Sequence, residues 1–318
     1  RYNKNKIYKF NNKILISINP FKRINIYKNT NNLDIEQPHV YSLAEIAYKN
    51  TKYKNQSILV SGESGSGKTE NTKYILNYLC KKYSINEVLS SRIIGCNYLI
   101  ELFGNAKTIR NDNSSRFGKF IQLFLNNTKI IGGKITNYLL EKSRVSFVNN
   151  LEKTYHIFYL SLLEHDKLKK YNFKKISEYK LLANSNFDYE IDEFQNVDKL
   201  LEIMSKFNFS DNEIDSIFYK IKIILEFLNI ESLEQLENGI KDNATILNKI
   251  NLNSYELLNT LTTKTLKLGS EIIVKKLELN EILINIKSFC EDLYESNFNN
   301  LISKINSSLG DESNKYIS

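Results

Sequence analysis

Short apolar runs dominate the first half of the chain, and apolar stripes with helical spacing dominate the second. Lys13–Ile18 and Ile58–Val60 combine β-branched and aliphatic side chains, which predicts buried strands, the first of them central in a sheet. Pro20 bars continuation of the first run. Three later runs predict antiparallel strands joined by turns and added to the same sheet: Phe120–Leu125, Thr128–Ile131 and, after Gly132-Gly133, Lys134–Leu140.

Apolar side chains three and four residues apart predict the helices. These are Val40–Tyr48, Thr69–Cys80, Glu87–Phe103 with a stop at Gly104, Thr154–Leu163, a helix opening at Ser210, and Asn280–Ser308. Ser210 and Glu213 have the spacing of a capping box, in which each side chain satisfies the other's backbone donor. The stretch Asp166–Asp198 follows no clear pattern. The change from strand to helix patterns predicts a boundary near residue 150.

Composition limits the function only weakly. The 318 residues have 44 Lys+Arg against 36 Asp+Glu, a net charge of +8, which permits an acidic polymer as partner without identifying one. Cys80, Cys96 and Cys290 are odd in number and widely spaced, which predicts neither disulfides nor zinc and fits a reducing compartment. There is no signal peptide or long uncharged apolar run, so a cytosolic protein without a membrane span is expected. Because the first residue is Arg1, we expect a piece of a longer chain.

The densest chemistry lies directly after Ile58–Val60. Gly62, Gly67, Lys68 and Thr69 fit the pattern G-x-x-x-x-G-K-[ST], placed between a predicted strand and a predicted helix as a phosphate-binding loop requires. Glycines let successive N–H groups point at phosphate oxygens in front of a helix N-terminus. Lys68 would reach the β- and γ-phosphates, and the Thr69 hydroxyl would ligate Mg²⁺. A flexible Gly/Ser turn is the alternative, and the strand–loop–helix context favours the phosphate loop.

A second polar stretch, Asn105–Lys119, concentrates hydroxyls, amides and guanidinium groups more than any other part of the chain. A plain surface loop would have a similar composition. On its own this stretch therefore indicates either a loop or a site.

Together these segments resemble the front part of a myosin motor domain. The resemblance is carried by the phosphate loop Gly62–Asn71, by Asn111–Phe120 (similar to the family's switch I), by Asn19–Arg23 with Tyr27 (similar to its adenine-side loop), and by Tyr138–Val145 and Tyr155–Tyr159. It spans the whole chain but is specific from about Tyr8 to Tyr159. Beyond that it thins, with departures at Glu226–Asn229 and Asn300.

The resemblance implies ATP and Mg²⁺ as ligands and assigns residues to them. Those implied to contact the nucleotide are Asn19, Pro20 and Tyr27 near adenine, and Gly62, Glu63, Ser64, Gly65, Ser66, Gly67, Lys68, Thr69 and Asn111 around the phosphates. Thr69 and Ser115 would hold Mg²⁺, which prefers oxygen ligands. Ser114 would position the attacking water, and Arg116 would pair with a glutamate of the family's switch II. Lys68, Ser114 and Arg116 are thus the implied catalytic residues.

The implied fold class is α/β, a P-loop NTPase with a mixed central sheet flanked by helices, followed by a mostly helical subdomain. Residues 1–150 would form the nucleotide-binding core and residues 151–318 the helical upper actin-binding subdomain. The implied function is the ATP-binding part of a cytoplasmic, cytoskeletal motor that couples Mg·ATP hydrolysis to movement on actin filaments. Lys264–Leu279 would be its actin-facing surface loop, in which Glu271 would supply a negative charge.

The family's D-x-x-G-x-E stretch, switch II, does not occur in the 318 residues. We therefore expect a truncated motor domain that alone hydrolyses ATP very slowly, with light chains binding only to a C-terminal region outside this sequence. Two other classes compete. The first is a nucleotide-gated actin tether or pseudo-motor without productive turnover, which the departures after residue 160 motivate. The second is a nucleic-acid-dependent ATPase, which rests on basic charge alone and lacks a basic-aromatic platform.

Overall fold

The computed structural model describes residues 6–22, 24–27, 34–183, 196–268 and 271–318. The chain forms two compact units. The first comprises Arg1–Glu101, Arg110–Leu139 and Ile302–Ser318, and the second comprises Leu102–Ile109 and Leu140–Leu301. The units interleave along the chain and do not follow a single cut near residue 150. The functional division predicted there, nucleotide binding before it and actin binding after it, stays a prediction.

The elements that begin in the first unit are β1 (Tyr8–Asn11), β2 (Ile14–Ser17), α1 (Val40–Asn50), α2 (Lys68–Tyr83), α3 (Glu87–Gly104), β4 (Asn111–Ser115), β5 (Gly118–Asn126), β6 (Lys129–Tyr138) and β9 (Tyr316–Ile317). The three helices predicted here are confirmed. In the polar stretch that was predicted as either a loop or a site, Asn111–Ser115 is a strand.

The second unit contains β3 (Asn105–Thr108), α4 (His156–Leu160), α5 (Lys180–Ala183), α6 (Val197–Lys206), α7 (Asp211–Phe227), α8 (Leu233–Asp242), α9 (Ala244–Lys249), α10 (Ser254–Thr262), β7 (Thr263–Leu268), β8 (Glu271–Lys276) and most of α11 (Leu279–Ser307). Its mostly helical character is as predicted. None of the helices in the described residues is long and apolar enough to cross a membrane.

The β1–β2 hairpin corrects the prediction of a central strand at Lys13–Ile18. Within the described part of the chain β2 pairs with β1 alone, antiparallel, from Tyr8 opposite Ser17 to Asn11 opposite Ile14. Ile14 is 66% exposed and Ile16 45%. Alternate side chains of a strand point to opposite faces, so a hairpin packed on one face leaves this apolar row in solvent.

β5 is the middle strand of the main sheet. It pairs antiparallel with β6 on one side and with β9 on the other. On the far side of β9, Gln56 pairs parallel with Ile317, so the chain that leads into Gly62 joins a mixed sheet. The Ile58 amide N–H donates to the Ser318 carbonyl at 2.6 Å. The segment before the phosphate loop therefore adjoins the same sheet as β5.

Ile58–Val60 is nevertheless not a buried strand, and that prediction was wrong. The residues are extended but form no ladder of their own, and Leu59 is 92% exposed. A strand requires neighbours, and in the described residues the backbone pairs of this segment stop at Ile58. The segment has the hydrophobic composition of a strand, but composition alone does not provide a neighbouring strand to pair with.

The outer edge of β6 is covered by the end of α11 and the chain that follows it, residues 306–311. The Asn306 side-chain amide donates to the Ile135 carbonyl and accepts from the Ile135 N–H, both at 2.8 Å. Gly132 pairs with Gly310. A Cβ on Gly132 would lie 2.0 Å from the Asp311 carbonyl oxygen. The predicted turn at Gly132-Gly133 was therefore wrong, because these glycines permit close approach within one continuous strand.

Helices α1 and α2 pack through aromatic side chains around one buried carboxylate. Glu45 accepts hydrogen bonds from the hydroxyls of Tyr78 and Tyr83, both at 2.7 Å, and from the Lys82 ammonium at 3.0 Å. The Tyr41 and Tyr78 rings stack with centroids 4.9 Å apart. Burial alone would raise the pKa of Glu45, but the three donors outweigh it, so its pKa lies below the ordinary value.

In the second unit, the predicted capping box of α7 is confirmed. The Ser210 N–H donates to Glu213 Oε2 at 2.8 Å, and the Glu213 N–H donates to Ser210 Oγ. Tyr294 of α11 stacks on Tyr155 and Phe158, with ring centroids 4.9 and 5.2 Å apart. The region expected to be a surface loop, Lys264–Leu279, contains the β7–β8 hairpin.

Candidate functional site

The loop between Val60 and α2 turns sharply at two glycines. Gly65 has φ +79° and Gly67 has φ +90°, a left-handed region that other residues rarely adopt. Gly67 is the N-cap of α2 and offers no side chain to the first N–H groups of this helix. The start of a 16-residue helix thus presents backbone donors to the loop, with the positive end of the helix dipole behind them.

Lys68 folds its side chain back over this loop. Its ammonium donates to the carbonyls of Gly62 and Glu63, at 2.7 and 2.8 Å. The Glu63 carbonyl also accepts from the Ser66 N–H at 3.2 Å, which closes the turn. The positive charge is therefore held at the mouth of the loop, with Glu63 and Ser64 exposed beside it.

Thr69 and Ser115, the two hydroxyls predicted to ligate a metal, are adjacent. Their oxygens lie 3.4 Å apart, one on the first turn of α2 and the other at the end of β4. Among the described residues there is no group of three His, Cys, Asp or Glu side chains that could hold a metal ion. Two hydroxyls suit Mg²⁺, which keeps several waters and takes few protein ligands when it binds with a phosphate.

The other predicted residues of β4 and its end bond mainly to one another. Asn111 accepts from the Asn113 N–H at 3.1 Å, and its amide donates to the Asn113 carbonyl at 3.2 Å. Ser114 is buried, at 5% exposure, and its hydroxyl lies 3.5 Å from Arg116 Nη1. The structure thus places Ser114 and Arg116 side by side and turns the Asn111 amide along its own strand.

On the other side of the loop, Asn19 binds the phosphate-loop backbone directly. Its amide donates to the Gly65 carbonyl at 2.7 Å, and its Oδ1 accepts from the Phe21 N–H at 2.9 Å. Pro20 lies half-buried between them. The segment predicted to contact adenine is therefore fixed to the segment predicted to contact phosphates.

Tyr27 is held against α2 by its ring and its hydroxyl. The ring stacks on Tyr74 with centroids 3.7 Å apart, and the hydroxyl lies 2.9 Å from that of Tyr8. Tyr8 in turn donates to Asn71 Oδ1 at 2.8 Å. Burial raises the pKa of Tyr27 to about 12, so it is a neutral hydroxyl at physiological pH.

Sequence reasoning missed Tyr8, Asn71, Lys73 and Glu101. Tyr8 and Asn71 connect the β1–β2 hairpin to α2, since the Asn71 amide also donates to Ser17 Oγ at 3.1 Å. Lys73 and Glu101 form an ion pair with 2.9 Å between Nζ and Oε2. Glu101 had a signal in the sequence, because it is the only charge in the apolar run Tyr98–Phe103.

A cavity of about 420 Å³ lies beside the loop. Its polar lining residues include Lys68, Thr69 and Ser115, and also Ser57, Thr72, Lys119 and Ser318. The others are mainly aliphatic and aromatic: Ile58, Leu59, Val60, Ile75, Leu76, Leu79, Phe117, Phe120, Ile121, Leu123 and Ile317. Charged phosphates are not stabilised by apolar walls. The loop amides and the polar lining residues are therefore the part of this region suited to an anion.

The fold and the loop together define a mixed α/β protein in which a helix start with free backbone donors lies next to a hydroxyl pair. A sequence model described as myosin head (motor domain) matches residues 1–318, and the chain belongs to that family. It is 34% identical to Myosin-1 of Saccharomyces cerevisiae, 33% to Myosin-52 of Schizosaccharomyces pombe and 36% to Myosin-4 of Arabidopsis thaliana. These matches cover 97, 99 and 97% of this chain, but only 18, 23 and 29% of the relatives.

Proposed function

We propose that the chain is the ATP-binding part of a motor that couples Mg·ATP hydrolysis to movement on actin filaments. Membership of the family supports the class of activity. The single observation that supports the site is the meeting of Lys68, Thr69 and Ser115 around the mouth of one glycine loop. In the finer fold assignment we propose a P-loop NTPase with a mixed central sheet, and a location on the actin cytoskeleton in the cytoplasm.

The loop residues would bind the triphosphate by hydrogen bonds and charge. Gly62–Gly67 would supply backbone N–H groups, and Lys68 would move from the Gly62 and Glu63 carbonyls to the β- and γ-phosphates. The helix start behind them would favour the same negative charge. Asn111 would turn from its own strand to bond the phosphates. Asn19, Pro20 and Tyr27 would orient the adenine, with the stacked Tyr74 limiting the movement of Tyr27.

Thr69 and Ser115 would hold Mg²⁺. When bound there, the ion would supply positive charge against the charge that develops in phosphoryl transfer. Ser114 would orient the attacking water, and Arg116, next to it, would orient the Ser114 hydroxyl and contribute positive charge. Positioning and electrostatics account for most of the catalysis in this chemistry, so the tight local packing of Ser114 favours its role.

One departure from the family pattern in the second unit, Glu226, has a local structural account. Glu226 accepts from the Asn243 amide at 2.7 Å and lies 3.6 Å from Lys222 Nζ. The residue thus belongs to a polar network within that unit in which Lys222 and Asn243 are buried. We therefore place the tether without turnover second to the active motor, because its motivating residues belong to packing and not to the nucleotide site.

The test is steady-state phosphate release by the full-length protein, with and without actin filaments, at saturating Mg·ATP. We expect basal release that actin accelerates. A protein that binds ATP and actin but releases no phosphate above the background would establish the tether. A protein that binds no nucleotide would overturn both readings.

A further inference from the structure

Behind the candidate site, Glu101 lies almost completely buried, at 1% exposure, near the end of α3. Its Oε2 accepts two hydrogen bonds from different elements. Lys73 Nζ of α2 lies at 2.9 Å, and Asn113 Nδ2 of β4 donates at 3.2 Å. The carboxylate therefore joins the helix that starts at the phosphate loop to the strand that carries Ser114 and Ser115.

One further charge acts on the same carboxylate. Lys119, on β5 directly after β4, is half-buried, and its ammonium donates to Asn97 at 3.3 Å. Burial lowers the pKa of Lys119, and the charge of Glu101 opposes that decrease. Glu101 Oε1 is buried and has no hydrogen-bond partner among the described residues. Lys73 and Asn113, both on Oε2, are therefore the hydrogen-bond partners of this carboxylate among the described residues.

We propose that Glu101 is a positioning residue, which holds β4 at a fixed distance from α2 through Asn113 and Lys73. Its effect on chemistry is indirect. Asn113 directly precedes Ser114 and Ser115, and Lys73 is on the first turns of the helix that carries Thr69. Fixing Asn113 to Lys73 through one oxygen therefore fixes the Ser115 hydroxyl relative to the Thr69 hydroxyl, which lie 3.4 Å apart. This inference rests on the proposed function only for its consequence in catalysis.

The test turns the attractive contact between Asn113 and Glu101 into a repulsive one and then restores the attraction. Asn113→Asp places a second carboxylate against Glu101 and repels β4. Combining it with Glu101→Gln exchanges the amide and the carboxylate across the same contact and removes the repulsion. The matched control is Asp112→Asn, which changes an exposed charge on the same strand. Circular dichroism and urea unfolding establish that each variant is folded, and a neutral variant, Asn113→Ala, replaces Asn113→Asp if that one does not fold.

The first measurement is hydrogen exchange of the peptide 111–117 in the nucleotide-free full-length protein. We expect faster exchange in Asn113→Asp than in the control, and recovery in the double variant. Equal exchange rates in Asn113→Asp and Asp112→Asn would overturn the inference. So would exchange in the double variant that is faster than in Asn113→Asp alone, because the two substitutions would then act independently. Because no turnover is required, this result is independent of the proposed function.

The second measurement is kcat and KM for Mg·ATP. Displacing reacting groups by about 1 Å costs on the order of 100-fold, so a partial displacement should lower kcat by about 10-fold or more. KM should change less than kcat does, since the phosphate loop and Lys68 are untouched and only the contacts from β4 are disturbed. The double variant should recover most of kcat. A kcat loss without recovery would show that Asn113 acts by some route other than Glu101.

Discussion

Lys68 offers the most direct test of the candidate site. In the free protein its ammonium has two donors committed to the carbonyls of Gly62 and Glu63, at 2.7 and 2.8 Å. Phosphate binding would exchange those contacts for charged ones. Lys68→Ala removes the charge and both loop contacts. The two carbonyls belong to exposed residues, so water replaces the ammonium there and the fold should lose less than about 1 kcal/mol.

The expected loss in binding follows from the number of charged bonds. One hydrogen bond to a charged group contributes about 1.5–3 kcal/mol. Losing it should therefore raise the dissociation constant roughly 12- to 140-fold. The lower half of that range is expected, because wild-type Lys68 gives up two good carbonyl bonds when it binds phosphate. The loss of affinity should be large for ATP and ADP. It should be near zero for AMP, which lacks the phosphates that this lysine reaches.

Titration calorimetry on the full-length protein measures these affinities. Lys81→Ala is the matched control, since Lys81 is exposed in the last turn of the same helix and far from the loop. Its affinity for every nucleotide should equal that of the wild type. The reasoning would be refuted if Lys68→Ala bound ATP as tightly as Lys81→Ala does, or if the loss for AMP were as large as that for ATP.

Three further predictions concern the loop, pH and actin. Gly67→Ala should destabilise the fold by about 1–2 kcal/mol in urea unfolding, because φ is +90°, whereas Gly239→Ala in α8 should stabilise by up to about 1 kcal/mol. Glu45→Gln should lower the unfolding free energy near pH 7. Because the pKa of Glu45 is depressed on folding, its ionised form contributes stability above the ordinary value of 4.5. That contribution, and with it the difference between variant and wild type, should vanish as the pH falls well below 4.5. Glu271→Ala in the full-length protein should lower actin-stimulated phosphate release about threefold or more and leave basal release unchanged, because a negative charge is lost; equal stimulation would overturn the role proposed for Glu271.

Local chemistry explains which sequence predictions were confirmed. The helix after the phosphate loop, the capping box at Ser210 and Glu213, and the end of α3 at Gly104 depend on residues a few positions apart. The nearness of Thr69 and Ser115 came from resemblance, because 46 residues separate them and no spacing rule connects them. Their assigned roles stay predictions.

Non-local contacts explain the errors. Ile58–Val60 has the composition of a strand, but a strand depends on what lies beside it. Gly132 looks like a turn residue in the sequence. A glycine is required there because the Asp311 backbone, which is distant in sequence, packs directly against it. Glu101 is the single charged residue in the apolar run Tyr98–Phe103 of α3, and its contacts are visible only when α2 and β4 are placed around it.

The covering of β6 by residues 306–311 has a consequence for synthesis of the protein. Asn306 and Ile135 are 171 residues apart, so the outer edge of β6 leaves the ribosome long before its cover does. At about 5–20 residues per second, that edge is exposed for roughly 10–35 s in each nascent chain. An open strand edge invites pairing with neighbouring chains on the same polysome. Production of this protein should therefore depend on chaperones that bind the nascent chain during that interval, and slower translation before residue 306 should increase aggregation.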